Sequence, residues 1–315
     1  RQRPSSPMPS ERSDPDPAAP PRAERLRLDA RAYPPTGRLV PVAGRRVHVH
    51  EAGAGPAVVL LHGASGNGRD YTFDLVGRLA PRYRVIVPDR PGLGHSDALH
   101  GRGESPQEQA AHLDAALEAL DVGRAVVVGH SYGGAVALAW ALVRPDRVAA
   151  VVSLSGAAMP WRGGLGPWYP LVDSWLGGRL VVPAVSALAT RSMARQAIAA
   201  VFAPQAPPPG YAAHIGVGLT LRPASLRANA RQLHHLKPHI RAMAERYHAL
   251  DRPVEILHGA RDTIVPLAVH GGPLAEIAPG ARLTVLDGIG HMPHHSAPDA
   301  AVAAIDRAAA RAGLH

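Results

Sequence analysis

The stretch that most restricts what this chain can fold into is residues 124–134, RAVVVGHSYGG. A run of β-formers ends at Val128, the residues Gly129, His130, Ser131, Tyr132 and Gly133 follow, and residues 135–142 are helix-prone. A strand that becomes a helix within about one residue forces the turning residue into a strained backbone, and small neighbours must let the two elements approach. That residue is Ser131. Its hydroxyl is expected at the carboxyl end of the strand and the amino end of the helix, where unpaired N–H groups and the helix dipole favour developing negative charge. Gly-x-Ser-x-Gly can also be a plain strand-to-helix turn with a serine N-cap. A catalytic reading requires a base, an acid to orient it and donors for an oxyanion elsewhere in the chain.

The rest of the sequence supplies a rhythm. Residues 38–42 and 46–51 flank Ala43-Gly44 and predict a hairpin, with Val47 and Val49 on one face and His48 and His50 on the solvent side. Residues 57–61, AVVLL, are a continuous apolar run of the kind a strand covered on both faces needs, and they lead into His62-Gly63-Ala64-Ser65-Gly66. A helix is expected over 70–79, a strand over 84–88, and a turn over 89–97. A helix over 106–120 carries the stripe Ala110, Leu113, Leu117 and Leu120, and the strand at 148–154 follows the Ser131 unit. After Ser155 the alternation stops for nearly a hundred residues and returns with strands at 253–258 and 281–286 and helices at 267–277 and 299–312.

This pattern predicts an α/β fold: a mostly parallel sheet with helices on both faces and the hairpin as an antiparallel edge. Residues 31–156 and 251–315 form the core, and residues 157–250, with helical patches at 186–200 and 226–236 and no convincing strand, form an all-helical lid over the carboxyl edge. Residues 1–30, rich in Pro, Ser and mixed charge, read as a disordered arm or linker. The chain opens at Arg1 rather than Met, so removal of an upstream segment is expected. Location is read as cytoplasmic by default, with export or membrane anchoring left open.

Two further groups fall at strand ends on the Ser131 side. Asp262 follows the strand at 253–258 and His291 follows the last strand, giving the order Ser131, Asp262, His291. His291 can accept the serine proton and return it to a leaving group, while Asp262 fixes the imidazole tautomer. The N–H groups of Tyr132 and Ala64 are the expected oxyanion donors, with Ser65 less favoured. His291, His294 and His295 lack carboxylates at metal-ligating spacing, so no metal is expected and His294 and His295 read as supporting or surface residues. No phosphate-cradling glycine loop is present, so no nucleotide cofactor is indicated.

Composition closes off other classes. The net charge of +9 is nearly all arginine, spread along the chain without interleaved aromatics, which weighs against nucleic acid as a partner. With no cysteine there is neither a disulfide framework nor a thiolate metal site. No apolar run reaches the ~18 residues of a transmembrane helix.

Taken together, His62-Gly63, the turn from Asp89 to Ser96, Gly129-His130-Ser131-Tyr132-Gly133-Gly134, His258-Gly259-x-x-Asp262 and Gly290-His291 resemble the serine hydrolases of the α/β-hydrolase fold, over residues 35–312. The resemblance implies a central sheet of about eight strands and a nucleophile elbow at Ser131, with Asp89 and Arg90 serving structure. Serine in place of aspartate at the elbow disfavours epoxide hydrolysis and dehalogenation. It implies an acyl-enzyme mechanism on a small to medium apolar carboxylic ester, a small-molecule substrate, in a pocket walled by Trp161, Trp168 and Tyr169. Two alternatives remain: a carbon–carbon bond hydrolase of ring-cleavage products, disfavoured by the short 64–68 loop, and a non-catalytic ligand-binding protein on the same scaffold. Oligomeric state stays open.

Overall fold

The computed structural model describes residues 32–314, so the arm expected over residues 1–30 lies outside the described residues. Eight strands form one sheet: β1 (Arg38–Val42), β2 (Arg45–Ala52), β3 (Ala57–Leu61), β4 (Arg84–Pro88), β5 (Ala125–His130), β6 (Val148–Leu154), β7 (Val254–Gly259) and β8 (Ala281–Leu286). Their order is β1-β2-β4-β3-β5-β6-β7-β8. β2 runs antiparallel to both of its neighbours, and every pairing from β4 to β8 is parallel, as the βα alternation predicts.

The central strands are apolar throughout because both faces are covered. Ala125 and Val127 of β5 pack into the layer of helices Pro106–Glu118 and Tyr132–Val143, whereas Val126 and Val128 face Leu75, Leu79 and the last helix, Pro298–Arg311. That alternation reflects the two-residue period of a strand. The stripe Ala110, Leu113, Leu117 and Leu120 is buried.

Three expectations change in detail. The helix over 70–79 is two short helices, Arg69–Thr72 and Leu75–Leu79, and the patch over 226–236 is the middle of a 22-residue helix, Pro223–Ala244. His48 is buried rather than solvent-facing, because β1 flanks β2 and the turn after β4 covers its other side. Its Nδ1 donates to Asp89 Oδ2 at 2.8 Å and its Nε2 accepts the Gly37 N–H at 3.0 Å. His50 is only partly exposed.

Between β6 and β7 the chain forms a helical insertion that includes helices Trp168–Asp173, Val182–Leu188, Arg191–Phe202 and Pro223–Ala244. Among the described residues no helix is long and apolar enough to cross a membrane.

Candidate active site

Ser131 joins β5 to helix Tyr132–Val143 with φ 52° and ψ −117°, a backbone that L-residues rarely adopt. The strain persists because its surroundings leave no alternative. Ser131 N–H donates to Leu154 O at 3.1 Å, and its carbonyl accepts from Gly134 N and Ala157 N, each at 3.0 Å. The flanking glycines are obligatory: a Cβ at Gly129 would stand 2.1 Å from the Gly133 oxygen, and one at Gly133 would stand 2.1 Å from the Leu61 oxygen.

The loop after β7 brings Asp262 to His291. Asp262 Oδ2 lies 2.8 Å from His291 Nδ1, and Oδ1 accepts the N–H groups of Ile264 and Val265 at 2.9 and 2.8 Å. Burial works to raise the Asp262 carboxyl, but the hydrogen bond and charge of His291, with the Val265 N–H, outweigh it and hold the pKa below its ordinary value. An ionised Asp262 accepts the Nδ1 proton of His291 and leaves Nε2 with a lone pair. His130 Nε2 donates to the His291 carbonyl at 2.9 Å and fixes that loop from below; burial holds His130 neutral, its pKa well below the ordinary value.

Ser131 and His291 face one cavity of about 590 Å³, together with Gly63, Ala64 and Ser65 of the loop after β3. That loop is clamped from both sides. Asn229, from the insertion, accepts the Ser65 N–H at 2.7 Å and donates to Ser65 Oγ at 3.0 Å. Beneath it the buried Arg90 donates to the carbonyls of His62 and Gly63 at 2.8 and 3.0 Å and lies 4.3 Å over the Tyr132 ring. Burial lowers the Arg90 pKa to about 10. Asp89 accepts the N–H groups of Gly68 and His95, so the pair serves the loops, as the resemblance implied. Among the described residues, the N–H groups of Ala64 and Tyr132 have no intramolecular acceptor, whereas that of Ser65 is taken.

Of the three aromatic residues expected to wall the pocket, Tyr169 lines the cavity. Trp161 instead packs against the main core cluster beside Lys237, and Trp168 is exposed. The insertion's share of the wall comes chiefly from aliphatic residues such as Val185, Met193, Ile198, Val201 and Leu226, with Phe202. Among the described residues, no Lys or Arg lines the cavity.

The cavity also reaches a group that sequence spacing could not find. Asp70, placed after the β3 loop, accepts from Tyr211 Oη at 2.7 Å, His295 Nε2 at 2.7 Å and His294 Nε2 at 3.0 Å. The carboxylate missing beside His294 in the sequence therefore comes from more than 200 residues away. Both histidines are turned inward, His294 fully buried, rather than lying at the surface. Burial works to raise the Asp70 carboxyl, but the histidines outweigh it and hold it well below the ordinary range. The Asp70, His294 and His295 donor atoms lie within 4.8 Å of one another, as do those of Asp173, His234 and His235 in the insertion. In the first cluster the Nδ1 atoms of both histidines are buried without partners. A metal on Nε2 would leave each ring proton on Nδ1 with no acceptor, so this donor set fits imidazoles donating Nε2–H to Asp70 better than a metal.

A family model described as the alpha/beta hydrolase fold matches residues 56–298, and the chain belongs to that family. A relative named as the magnesium-chelatase 30 kDa subunit of Rhodobacter capsulatus is 32% identical over 78% of this chain and 84% of its own length. The 2-hydroxy-6-oxo-2,4-heptadienoate hydrolase of Pseudomonas putida is 40% identical over 38% of this chain and 44% of its own. Among solved structures, an esterase from Rhodococcus sp. ECU1013 superposes with a TM-score of 0.67 at 25% identity, covering 86% of this chain and 98% of that one. The chain is thus a hydrolase-fold protein with both esterases and carbon–carbon bond hydrolases among its neighbours.

Proposed function

We propose that the protein is a serine hydrolase that cleaves neutral, apolar carboxylic esters through an acyl-enzyme, beneath a lid formed by residues 157–250. The observation that carries the reading is the 2.8 Å Asp262–His291 pair at the cavity that Ser131 also faces. His291 Nε2 takes the proton of Ser131 Oγ as Oγ bonds to the acyl carbon. The tetrahedral oxygen is met by the unengaged N–H groups of Ala64 and Tyr132, each contributing roughly 3–4 kcal/mol to the transition state. Collapse breaks the bond to the alkoxy oxygen, which leaves with the proton from His291. Water then enters with the same proton exchange and releases the acid and free Ser131.

The charge of the cavity supports the ester reading over the carbon–carbon alternative. A heptadienoate is an anion, and among the described residues the cavity offers no lining Lys or Arg to a carboxylate while it does contain the ionised Asp70. An uncharged ester fits such a wall, because a desolvated charge without a partner costs several kcal/mol.

Turnover of p-nitrophenyl esters from acetate to decanoate by wild type and Ser131→Ala tests this. Release of p-nitrophenol that disappears in a folded Ser131→Ala variant is expected, with an optimum at medium chain length. Folded wild type that ignores every ester yet hydrolyses a dienoate ring-cleavage product would overturn the ester assignment.

A further inference from the structure

The insertion turns an apolar side to solvent. Among the described residues twelve large hydrophobic side chains are exposed, and eight of them lie between residues 165 and 193. In the π-helical turn Gly177–Val181 and the helix Val182–Leu188 that continues it, the buried positions are Gly177, Gly178, Val182 and Ser186. The outward ones include Leu180, Pro183, Ala184 and Leu188. A surface helix normally presents a polar face outward, whereas the outer side here carries large apolar side chains beside Arg179. Trp175 is 69% exposed and Leu180 66%, in a stretch dense enough to mark an interaction surface.

The same region holds the charge. Residues 157–250 contain ten Lys and Arg against two acidic residues, so +8 of the chain's +9 lies in the insertion. Exposed Arg162, Arg179 and Arg195 flank the apolar positions, and Arg179 lies 5.0 Å over the Trp175 ring. The cavity adjoins this surface: Met193 is exposed and also lines it, and Val185 lines it from the helix whose outer side carries Leu188.

Apolar residues bordered by arginines match a lipid surface bearing negative headgroups, into which Trp and Leu can insert while the guanidinium groups meet phosphate. A second copy of this chain is a poor occupant, since it would bring the exposed Arg162, Arg179 and Arg195 of two copies together. We infer that the insertion docks, by Trp175, Leu176, Leu180 and Leu188, onto an anionic lipid bilayer. On the ester reading, the cavity then takes its substrate from the lipid rather than from water.

Flotation of the full chain with phosphatidylcholine vesicles, with and without phosphatidylglycerol, tests the docking without recourse to catalysis. Binding is expected to the anionic vesicles, with a blue shift of tryptophan emission, and to weaken about tenfold when salt is raised to about 0.5 M. The double variant Trp175→Glu and Leu180→Glu is expected to bind about tenfold or more weakly. It should retain wild-type circular dichroism and wild-type turnover of a water-soluble ester, since neither residue lines the cavity. Three outcomes overturn docking: no flotation of wild type with either vesicle, equal flotation of the variant, or a solution dimer that the variant abolishes. Loss of ester turnover in wild type with flotation intact would instead overturn the ester reading alone.

Discussion

Two buried histidines make the stability of this protein fall between pH 7 and pH 5. His62 accepts the Arg90 N–H at Nε2, at 2.9 Å, and donates Nδ1–H to the Gly63 carbonyl at 2.9 Å. His270 Nδ1 accepts the N–H groups of Ala158 and Met159 at 3.3 and 3.1 Å. In each ring the nitrogen that would take a second proton is occupied as an acceptor, and burial lowers both pKa values to about 4. The unfolded chain takes up these protons near pH 6.5 while the folded chain does not, so stability rises with pH through this window and is lost as pH falls. From pH 7 to pH 5 the loss is about 2 kcal/mol for each histidine, or about 4 kcal/mol for the pair, against a typical total of about 5–15 kcal/mol. Asp70, Asp89 and Asp262 have depressed values, so their contributions are present above about pH 4 and fade only below it, outside this interval. Urea unfolding at the two pH values measures the loss. His270→Asn places Oδ1 near the position of Nδ1, keeps an acceptor for both N–H groups and does not titrate. It is expected to shrink the difference by about 2 kcal/mol. An unchanged difference in this variant would refute the claim that the fold holds His270 neutral.

Asp262→Asn removes the charge that stabilises the imidazolium and favours the wrong His291 tautomer; on the proposed mechanism kcat for a p-nitrophenyl ester drops about 10³–10⁴-fold with KM little changed. A drop smaller than tenfold would remove Asp262 from the mechanism. Asn229→Leu frees the Ser65 N–H and hydroxyl and loosens the loop that presents Ala64, so a fall in kcat of about tenfold is expected, with circular dichroism unchanged. Unaltered kcat would mean that Arg90 alone holds the loop. Asp70→Ala strands three donors, from Tyr211, His294 and His295, and should cost about 3–5 kcal/mol in urea unfolding. A cost below about 1 kcal/mol would show that the cluster rearranges to satisfy itself.

How much was legible in the sequence follows from which forces are local. β3, β5 and β6 read as buried strands because a parallel strand covered on both faces must be apolar at every position, and the Gly129, Ser131 and Gly133 spacing reads as a tight turn because the close approach of backbones admits no Cβ there. Asp262 and His291 could be named because a parallel sheet delivers all of its strand ends to one side, so chain order translates into proximity. His48 was misread for a complementary reason. Period-two alternation says which side chains share a face, and it is silent on whether a distant turn, here the one bearing Asp89, covers that face.

The same distinction separates the groups that the proposed mechanism uses from the groups that wall the cavity. Ser131, Asp262 and His291 belong to strand ends, where local pattern and topology fix position. The cavity wall belongs to helices of the insertion, where the type of a residue gives its size and not its direction. Trp161, Trp168 and Tyr169 look alike in sequence, yet only Tyr169 reaches the cavity, and Trp168 points to solvent. Asp70 likewise draws Tyr211 from the insertion and His294 and His295 from beside His291 onto one carboxylate, a convergence that no spacing rule contains. Because Phe202 and Tyr211 pack on His295, the insertion and the His291 loop share one buried cluster. A change of wall is therefore mechanically joined to the loop that carries His291. Ile198 and Val201 line the cavity and also pack against Phe202, Tyr211 and Met292, so on the ester reading their substitution is expected to shift chain-length preference and, through Met292 beside His291, kcat as well.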